Sequence, residues 1–290
     1  MEKEGIMEVV VGKLAGFCPG VENTVKRANQ LLEEHGKIYC LGEIVHNKQV
    51  IEELEKKGMT TVQELAEIPN NSIVIFRAHG EPKYKYELAK EKNLEVVDLT
   101  CGNVLIIHKK VERELQDSFI IIFGKKIHPE VLGTKGFAGN NSYVVETEDD
   151  ILDAYMEYEK TNLGRVYVVG QTTISSNYFD VLANEVEKNF IEAEVIVDKT
   201  ICNATEIRQK ETDELSKKFN SMIIIGGKNS SNTKELAKIA EKNCENVYLV
   251  ETVEEIKNID FSKTEKIAIM AGASTPKESI NNVKEYLEKI

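Results

Sequence analysis

Short apolar stretches rich in valine and isoleucine alternate with amphipathic, helix-like stretches along the whole chain. Seven of the apolar stretches read SIVIF, LEVVDL, SFIIIF, RVYVVG, AEVIVD, SMIIIGG and EKIAIMAG. Strands separated by segments of helix length are typical of βαβ units, in which neighbouring strands run parallel. We therefore expect an α/β protein with small, mostly parallel sheets that are flanked by helices.

The pattern repeats three times, and a cysteine begins each repeat. A helix-like stretch follows each cysteine, then a strand that ends in glycine, and four residues after that glycine comes a polar residue. These polar residues are His46, His128 and Ser230, which lie 28, 27 and 28 residues after Cys18, Cys101 and Cys202. Self-similarity of this kind predicts three similar βα lobes with pseudo-threefold symmetry.

The third repeat lacks a closing strand within its own part of the chain. The first two repeats end with EVVDLTC and EVIVDKTIC, and the N-terminal stretch MEVVVGKL precedes Cys18 in the same way. We expect a first lobe at residues 14–98, a second at 99–199 and a third at 200–290, with the last one completed by the N-terminal strand at residues 1–13.

A further polar loop follows the third strand of each repeat. It contains His79 in the first repeat, Thr172 and Thr173 in the second, and Ser274 in the third. Ligands of parallel α/β sheets collect at the carboxyl ends of the strands, where such loops converge. We expect the three cysteines to meet at one central site that is surrounded by histidine, threonine, serine and asparagine.

The composition excludes several classes of protein. The chain of 290 residues is 41% hydrophobic and 30% charged, as is ordinary for a globular protein, and its net charge of −12 disfavours nucleic acid as a partner. It contains no apolar run of membrane-spanning length and no recognisable signal peptide, so we expect a cytoplasmic protein without membrane attachment. Neither a complete Walker A loop nor G-x-G-x-x-G is present, and nothing points to a nucleotide cofactor.

The five cysteines are scattered at long spacings without a CxxC pair, which argues against a disulfide framework. Cys40 and Cys244 lie in stretches where core packing or an incidental surface thiol explains them. Cys18, Cys101 and Cys202 lie at strand-to-helix corners, where the helix N-terminus favours the thiolate. Three thiolates suit a soft metal: either zinc with one histidine as the fourth ligand, or a [4Fe–4S] cluster with one iron left without a protein ligand.

Nine segments in order resemble the signature segments of the 4-hydroxy-3-methylbut-2-enyl diphosphate reductase family, also called IspH or LytB, of the non-mevalonate isoprenoid pathway. They are GFCPGV, EIVHNKQVIEEL, RAHG, DLTCGNV, HPEVLGTKG, GQTT, TICNAT, GGKNSSNTKEL and GASTP, and they extend from Gly16 to about Pro276. The resemblance implies an iron–sulfur oxidoreductase. Its reaction would be the reductive dehydroxylation of (E)-4-hydroxy-3-methylbut-2-enyl diphosphate to isopentenyl and dimethylallyl diphosphates, with electrons from a ferredoxin or flavodoxin.

The resemblance also implies roles for individual residues. Cys18, Cys101 and Cys202 would hold a [4Fe–4S] cluster whose fourth iron binds the substrate hydroxyl. The catalytic residues would be Glu130, Thr172 and His128. The substrate-binding residues would be His46, His79, His128, Thr172, Thr173, Ser230, Ser231, Asn232 and Ser274.

Two alternatives stay open at this point. The family commonly has proline after its second cysteine, where this chain has Gly102, and this departure leaves room for a paralogous cluster reductase of another phosphorylated allylic alcohol. The second alternative is a non-catalytic protein that binds zinc through the three cysteines. His35 and His108 lie outside the polar loops, and we expect them to be structural.

Overall fold

The structure is a computed structural model, and it describes residues 7–262 and 264–290. Strands and helices alternate through these residues, as the apolar pattern predicts. The strands are β1 (Glu8–Val11), β2 (Ile38–Leu41), β3 (Met59–Val62), β4 (Ile73–Phe76), β5 (Glu95–Asp98), β6 (Phe119–Phe123), β7 (Ser142–Val145), β8 (Arg165–Gly170), β9 (Glu194–Val197), β10 (Ser221–Ile225), β11 (Asn246–Val250) and β12 (Lys266–Ala271).

The helices lie in connections between strands, except for the last one, which follows β12. They are α1 (Pro19–His35), α2 (Lys48–Lys56), α3 (Lys83–Glu91), α4 (Gly102–Glu114), α5 (Pro129–Ala138), α6 (Asp150–Glu159), α7 (Ser176–Asn189), α8 (Asn203–Ser216), α9 (Ser231–Glu241) and α10 (Lys277–Leu287). Short 3₁₀ turns lie at Leu65–Glu67 and Val253–Ile256. Within the described residues, no helix combines the length and the apolar character needed to cross a membrane.

The strands form three four-stranded sheets with one shared topology. The sheet orders are β3-β2-β4-β5, β7-β6-β8-β9 and β11-β10-β12-β1. Every neighbouring pair in these sheets is parallel. The predicted fold class, an α/β protein with three similar parallel βα units, is confirmed by these sheets.

β1 occupies the fourth place in the third sheet. It pairs with β12, with Glu8 opposite Lys266 and Val11 opposite Ile269. The corresponding strands of the other two sheets, β5 and β9, pair in the same way with β4 and β8. Residues 1–6 of the segment that we expected to complete the third lobe lie outside the described residues.

The described chain divides into two compact units. One contains the N-terminal segment up to Glu22 together with Val45–Glu53 and Asn203–Ile290, and thus the third sheet; the other contains Asn23–Ile44 and Leu54–Cys202, and thus the first two sheets. Val45–Glu53, which the repeat pattern assigns to the first lobe, therefore groups with the unit of the third sheet. The lobe boundaries at 98/99 and 199/200 stay predictions.

The burial of the central strands explains why their sequences are almost entirely apolar. All five residues of β6 are buried, and so are all five of β10. A parallel strand that is covered by helices on both faces has no polar side, so its sequence reads as a continuous apolar run. In the unit of the first two sheets, Phe123 packs edge-on against Phe179 of α7 with ring centroids 5.1 Å apart.

Candidate active site

Each of the three predicted ligand cysteines makes the same kind of backbone hydrogen bond. The cysteine follows one strand of a sheet, and its N–H donates to a carbonyl in the loop after the neighbouring strand of that sheet. The pairs are Cys18 to Ala273 at 3.1 Å, Cys101 to Ala78 at 3.0 Å and Cys202 to Thr172 at 3.2 Å. Each acceptor directly precedes a residue that was predicted to bind substrate: Ser274, His79 and Thr173. The threefold repeat therefore extends to the hydrogen bonds of the loops.

The five cysteines divide into two groups by burial. Cys18, Cys101 and Cys202 are half-buried, whereas Cys40 and Cys244 are buried, and the structure forms no disulfide among these described residues. Burial raises the pKa of Cys40 to about 12, and burial also raises the pKa of Cys244. Both are core residues, which is one of the two explanations that their sequence context left open. Cys18 Sγ accepts a hydrogen bond from the Val21 amide in the first turn of α1 at 3.5 Å.

Glu130 and Thr172 form a buried pair in the unit of the first two sheets. Glu130 Oε1 accepts from the Thr172 N–H at 2.6 Å, and Oε2 accepts from the Thr172 hydroxyl at 2.9 Å. Glu130 lies in the first turn of α5 and is only 3% exposed. Burial raises the pKa of Glu130 to about 7, although the two hydrogen bonds from Thr172 oppose that rise.

His79 and His128 lie beside this pair in the same unit. Their rings meet edge to face with centroids 5.5 Å apart. His128 is the N-cap of α5, and its Nδ1 accepts from the Glu130 N–H at 3.2 Å. A neutral imidazole that accepts at Nδ1 carries its proton at Nε2, so His128 has a donor at its outer nitrogen.

The start of α9 supplies polar groups in the other unit. Ser230, Ser231 and Asn232 are all buried, and Ser230 is the N-cap whose Oγ accepts from Thr233 N–H at 3.3 Å. Asn232 is 4% exposed, and among the described residues neither polar atom of its amide has a hydrogen-bond partner. A buried amide without partners at a helix N-terminus is suited to an anionic ligand.

His46 lies in the same unit as α9 and is held through its backbone. The Ser274 hydroxyl donates to the His46 carbonyl at 3.1 Å. Gly227 approaches the same carbonyl so closely that a Cβ at this position would lie 2.3 Å from it. A side chain at residue 227 would therefore displace the loop that carries His46.

Lys228 is the nearest cation in the sequence to the serine pair, but its charge is engaged elsewhere. Its Nζ lies 2.5 Å from Glu255 Oε2; the lysine side chain is about half exposed and the glutamate side chain is half-buried. An anion at the start of α9 would therefore meet neutral donors and backbone amides rather than this lysine.

Gln171, which is buried directly after the end of β8, was not predicted from the sequence as a site residue. Its Nε2 donates to Thr173 Oγ1 at 2.7 Å, and its Oε1 accepts from the Lys125 N–H at 3.2 Å. The amide thus ties the loop that contains Thr172 and Thr173 to the loop that follows β6. The only sequence signal was its place at the end of a strand in the GQTT segment.

The predicted site residues fall into two sets. The unit of the third sheet contains Cys18, His46, Ser230, Ser231, Asn232 and Ser274; the unit of the first two sheets contains His79, Cys101, Glu130, His128, Thr172, Thr173 and Cys202. Within each set, hydrogen bonds or ring contacts connect neighbouring loops. The gathering of all three cysteines at one point stays a prediction.

These features define a class of parallel α/β protein in which a strand–cysteine–helix unit occurs three times and polar loops follow the strand ends. Residues 9–288 match the family model described as LytB protein. The chain therefore belongs to the LytB family.

The chain is similar to proteins of nearly the same length. The 4-hydroxy-3-methylbut-2-enyl diphosphate reductase of Petrotoga mobilis is 38% identical over 295 residues, with 98% of each chain covered. The protein of the same name from Clostridioides difficile is 37% identical over 286 residues, which cover 98% of this chain and 100% of the relative.

Two solved structures share the fold. The E-1-hydroxy-2-methyl-but-2-enyl-4-diphosphate reductase of Plasmodium falciparum superposes with a TM-score of 0.88 at 29% identity, covering 97% of this chain and 87% of that one. A structure of (E)-4-hydroxy-3-methyl-but-2-enyl diphosphate reductase, the terminal enzyme of the non-mevalonate pathway, is 37% identical. Its TM-score is 0.70, and the match covers 98% of this chain and 100% of that one.

Proposed function

We propose that this protein is a 4-hydroxy-3-methylbut-2-enyl diphosphate reductase that converts (E)-4-hydroxy-3-methylbut-2-enyl diphosphate to isopentenyl and dimethylallyl diphosphates. Relatives of matching length at 37–40% identity bear that name. The geometric observation that carries the proposal is a continuous series of hydrogen bonds from Glu130 through Thr172 to the backbone of Cys202. This series connects a proton-donating carboxyl with a predicted cluster ligand inside one unit.

The residues for an iron–sulfur cofactor are Cys18, Cys101 and Cys202. The donor set fits, because these are the three half-buried cysteines and each follows the carboxyl end of a parallel strand, whereas the two core cysteines are buried. A [4Fe–4S] cluster held by three thiolates would supply electrons and a Lewis-acidic iron without a protein ligand. A ferredoxin or flavodoxin as electron donor, and a cytoplasmic location, stay predictions.

The reaction consumes two electrons and two protons: the allylic C–O bond breaks, a C–H bond forms and the oxygen leaves as water. One proton must reach the departing oxygen, because hydroxide is a poor leaving group. Glu130 is suited to donate it, since a pKa of about 7 keeps both its protonated and ionised forms populated near neutral pH. Thr172 orients the carboxyl through both its amide and its hydroxyl.

The diphosphate would be bound by the neutral and histidine donors of the loops. Asn232 has an unpartnered buried amide, and the helix N-terminus beside it provides backbone N–H groups. His128 would donate from Nε2, because its Nδ1 is engaged by the Glu130 amide.

The proposal is tested with anaerobically reconstituted protein. We expect brown visible absorption, iron with inorganic sulfide, and reductase activity. Each of Cys18→Ser, Cys101→Ser and Cys202→Ser should lose the absorption, whereas the matched controls Cys40→Ser and Cys244→Ser should keep it. Glu130→Gln should retain the cluster and lose about 10²–10⁴-fold in kcat, the usual contribution of a general acid. Zinc without sulfide, or full cluster content in all three of the first variants, would contradict the proposal.

A further inference from the structure

The chain leaves the third sheet after β1 and makes a turn before Cys18. β1 ends at Val11, and the Gly12 amide still donates to the Ile269 carbonyl at 2.8 Å. The Ala15 N–H then donates back to the Gly12 carbonyl at 3.2 Å, and Gly16 has a φ of +106°. The polar backbone groups of residues 13–16 therefore need partners from outside the sheet.

Arg208 on α8 supplies donors to this turn. It is only 3% exposed. Its Nε donates to the Leu14 carbonyl, and its Nη2 donates to the Gly16 carbonyl, both at 2.9 Å. Its Nη1 donates at 3.3 Å to Ala204 of its own helix. The fixed fork of the guanidinium thus joins two carbonyls of one turn, a geometry that an ammonium group does not reproduce.

Glu211 supplies the matching acceptors. Its Oε1 accepts from the Lys13 N–H at 2.7 Å, and its Oε2 accepts from the Leu14 N–H at 2.9 Å. Glu211 follows Arg208 by three residues, so both side chains project from the same side of α8. Together they satisfy four backbone groups of the turn with charge-assisted hydrogen bonds, which are stronger than neutral ones.

We propose that Arg208 and Glu211 are positioning residues that hold the turn at residues 13–16 and thereby set the position of Cys18. Cys18 follows Gly16 by two residues, and four hydrogen bonds of these two side chains join α8 to the backbone of the turn. α8 begins one residue after Cys202. The helix that follows one predicted cluster ligand in the chain therefore holds the turn that precedes another.

The first test uses residue-resolved hydrogen exchange in the protein without added metal. The probe is the Cys18 amide, whose own partner is Ala273 and which touches neither Arg208 nor Glu211. Glu211→Gln should accelerate its exchange about tenfold, the effect of losing one hydrogen bond to a charged group, and Arg208→Ala, which removes both hydrogen bonds to the carbonyls of the turn, should accelerate it at least as much. The Cys101 amide should be unchanged, Arg208→Lys should restore protection in part, and Lys210→Gln, an exposed site on the same helix, should change nothing.

The second test uses the reconstituted protein and rests on the proposed function. Arg208→Ala and Glu211→Gln should lose their visible iron–sulfur absorption to a chelator about tenfold faster than the parent and Lys210→Gln. If the parent takes up no cluster, the proposed function fails while the exchange result still stands.

Unchanged exchange at the Cys18 amide in both variants would overturn the positioning role. So would acceleration of equal size at the Cys101 amide, since that would show general loosening of the fold. If Arg208→Ala does not fold, Glu211→Gln decides the question, because it keeps a carbonyl acceptor and the length of the side chain.

Discussion

His108 provides the sharpest prediction about stability. It lies in α4, is 2% exposed and stacks on Phe137 with ring centroids 4.3 Å apart. Among the described residues, neither of its ring nitrogens has a hydrogen-bond partner. Burial lowers the pKa of His108 from 6.5 to about 4, although the charge of Asp98 acts in the opposite direction.

The sign of the pH effect follows from this lowered pKa. The unfolded chain binds a proton near pH 6.5, whereas the folded protein resists protonation of His108 until about pH 4. Acidification through this window therefore favours unfolding. The stability lost is about 2 kcal/mol at pH 5 and about 3 kcal/mol once the pH falls below 4. Above about pH 7.5 the residue makes no appreciable pH-dependent contribution.

The perturbation is His108→Leu, which removes both the titrating group and its two unpartnered nitrogens. We expect the variant to be at least as stable as the parent at pH 7.5, because no hydrogen bond is lost. Its stability relative to the parent should then rise by about 2 kcal/mol on acidification to pH 5.

The assay is urea unfolding followed by far-UV circular dichroism, since the chain contains no tryptophan. The comparison between variant and parent matters because Glu130 acts with the opposite sign: its raised pKa favours the folded state as the pH falls below 7. That contribution is common to both proteins and cancels in the difference. His35→Gln, at an exposed helix end, is the matched control. A constant difference between His108→Leu and parent from pH 7.5 to 5 would refute the reasoning.

The remaining predictions concern the proposed active site. If Glu130 donates the proton, kcat of the parent should fall as the pH rises through about 7, and the residual activity of Glu130→Gln should lack this limb; an unchanged limb would assign the titration to another group. Asn232→Ala should leave the ligand-free protein as stable as the parent, because the amide has no partner there, while KM rises about tenfold or more. Urea unfolding measures the stability and steady-state kinetics measure KM. An unchanged KM would show that the Asn232 amide does not bind the substrate. Gly227→Ala should also raise KM, since its Cβ would lie 2.3 Å from the His46 carbonyl; Gly164→Ala, where nothing lies within 4 Å and φ is likewise outside the left-handed region, is the matched control.

The repeated pattern of the sequence predicted more of the fold than of the site. Apolar runs such as SFIIIF and SMIIIGG identified buried parallel strands, because strands covered on both faces read as nearly continuous apolar runs. The cysteines could also be divided into candidate ligands and other residues, since Cys40 and Cys244 do not lie at strand-to-helix corners. The structure buries both. A place for the N-terminal strand in the third lobe could be inferred because MEVVVGKL precedes Cys18 just as EVVDLTC and EVIVDKTIC contain the strands that precede the other two cysteines.

The contacts that orient the loops were not readable from the chain. No sequence pattern identified Arg208 and Glu211, because they hydrogen-bond to a turn 192 to 198 positions away. The contacts of Gln171 with two different loops were likewise not evident from its place after a strand. His108 was recognised as structural, but its lack of hydrogen-bond partners became evident only from the side chains packed around it.

The sequence by itself determined the order of strands and helices, the threefold repeat and the identity of the groups capable of chemistry. These depend on local periodicity and on which residues follow each strand, both of which are written along the chain. The tertiary structure decided the protonation of Glu130, the unpartnered state of Asn232 and the support of the Cys18 turn by α8. Each of these depends on desolvation or hydrogen bonding by residues far away in sequence, and such effects arise only when the sheets and helices have packed.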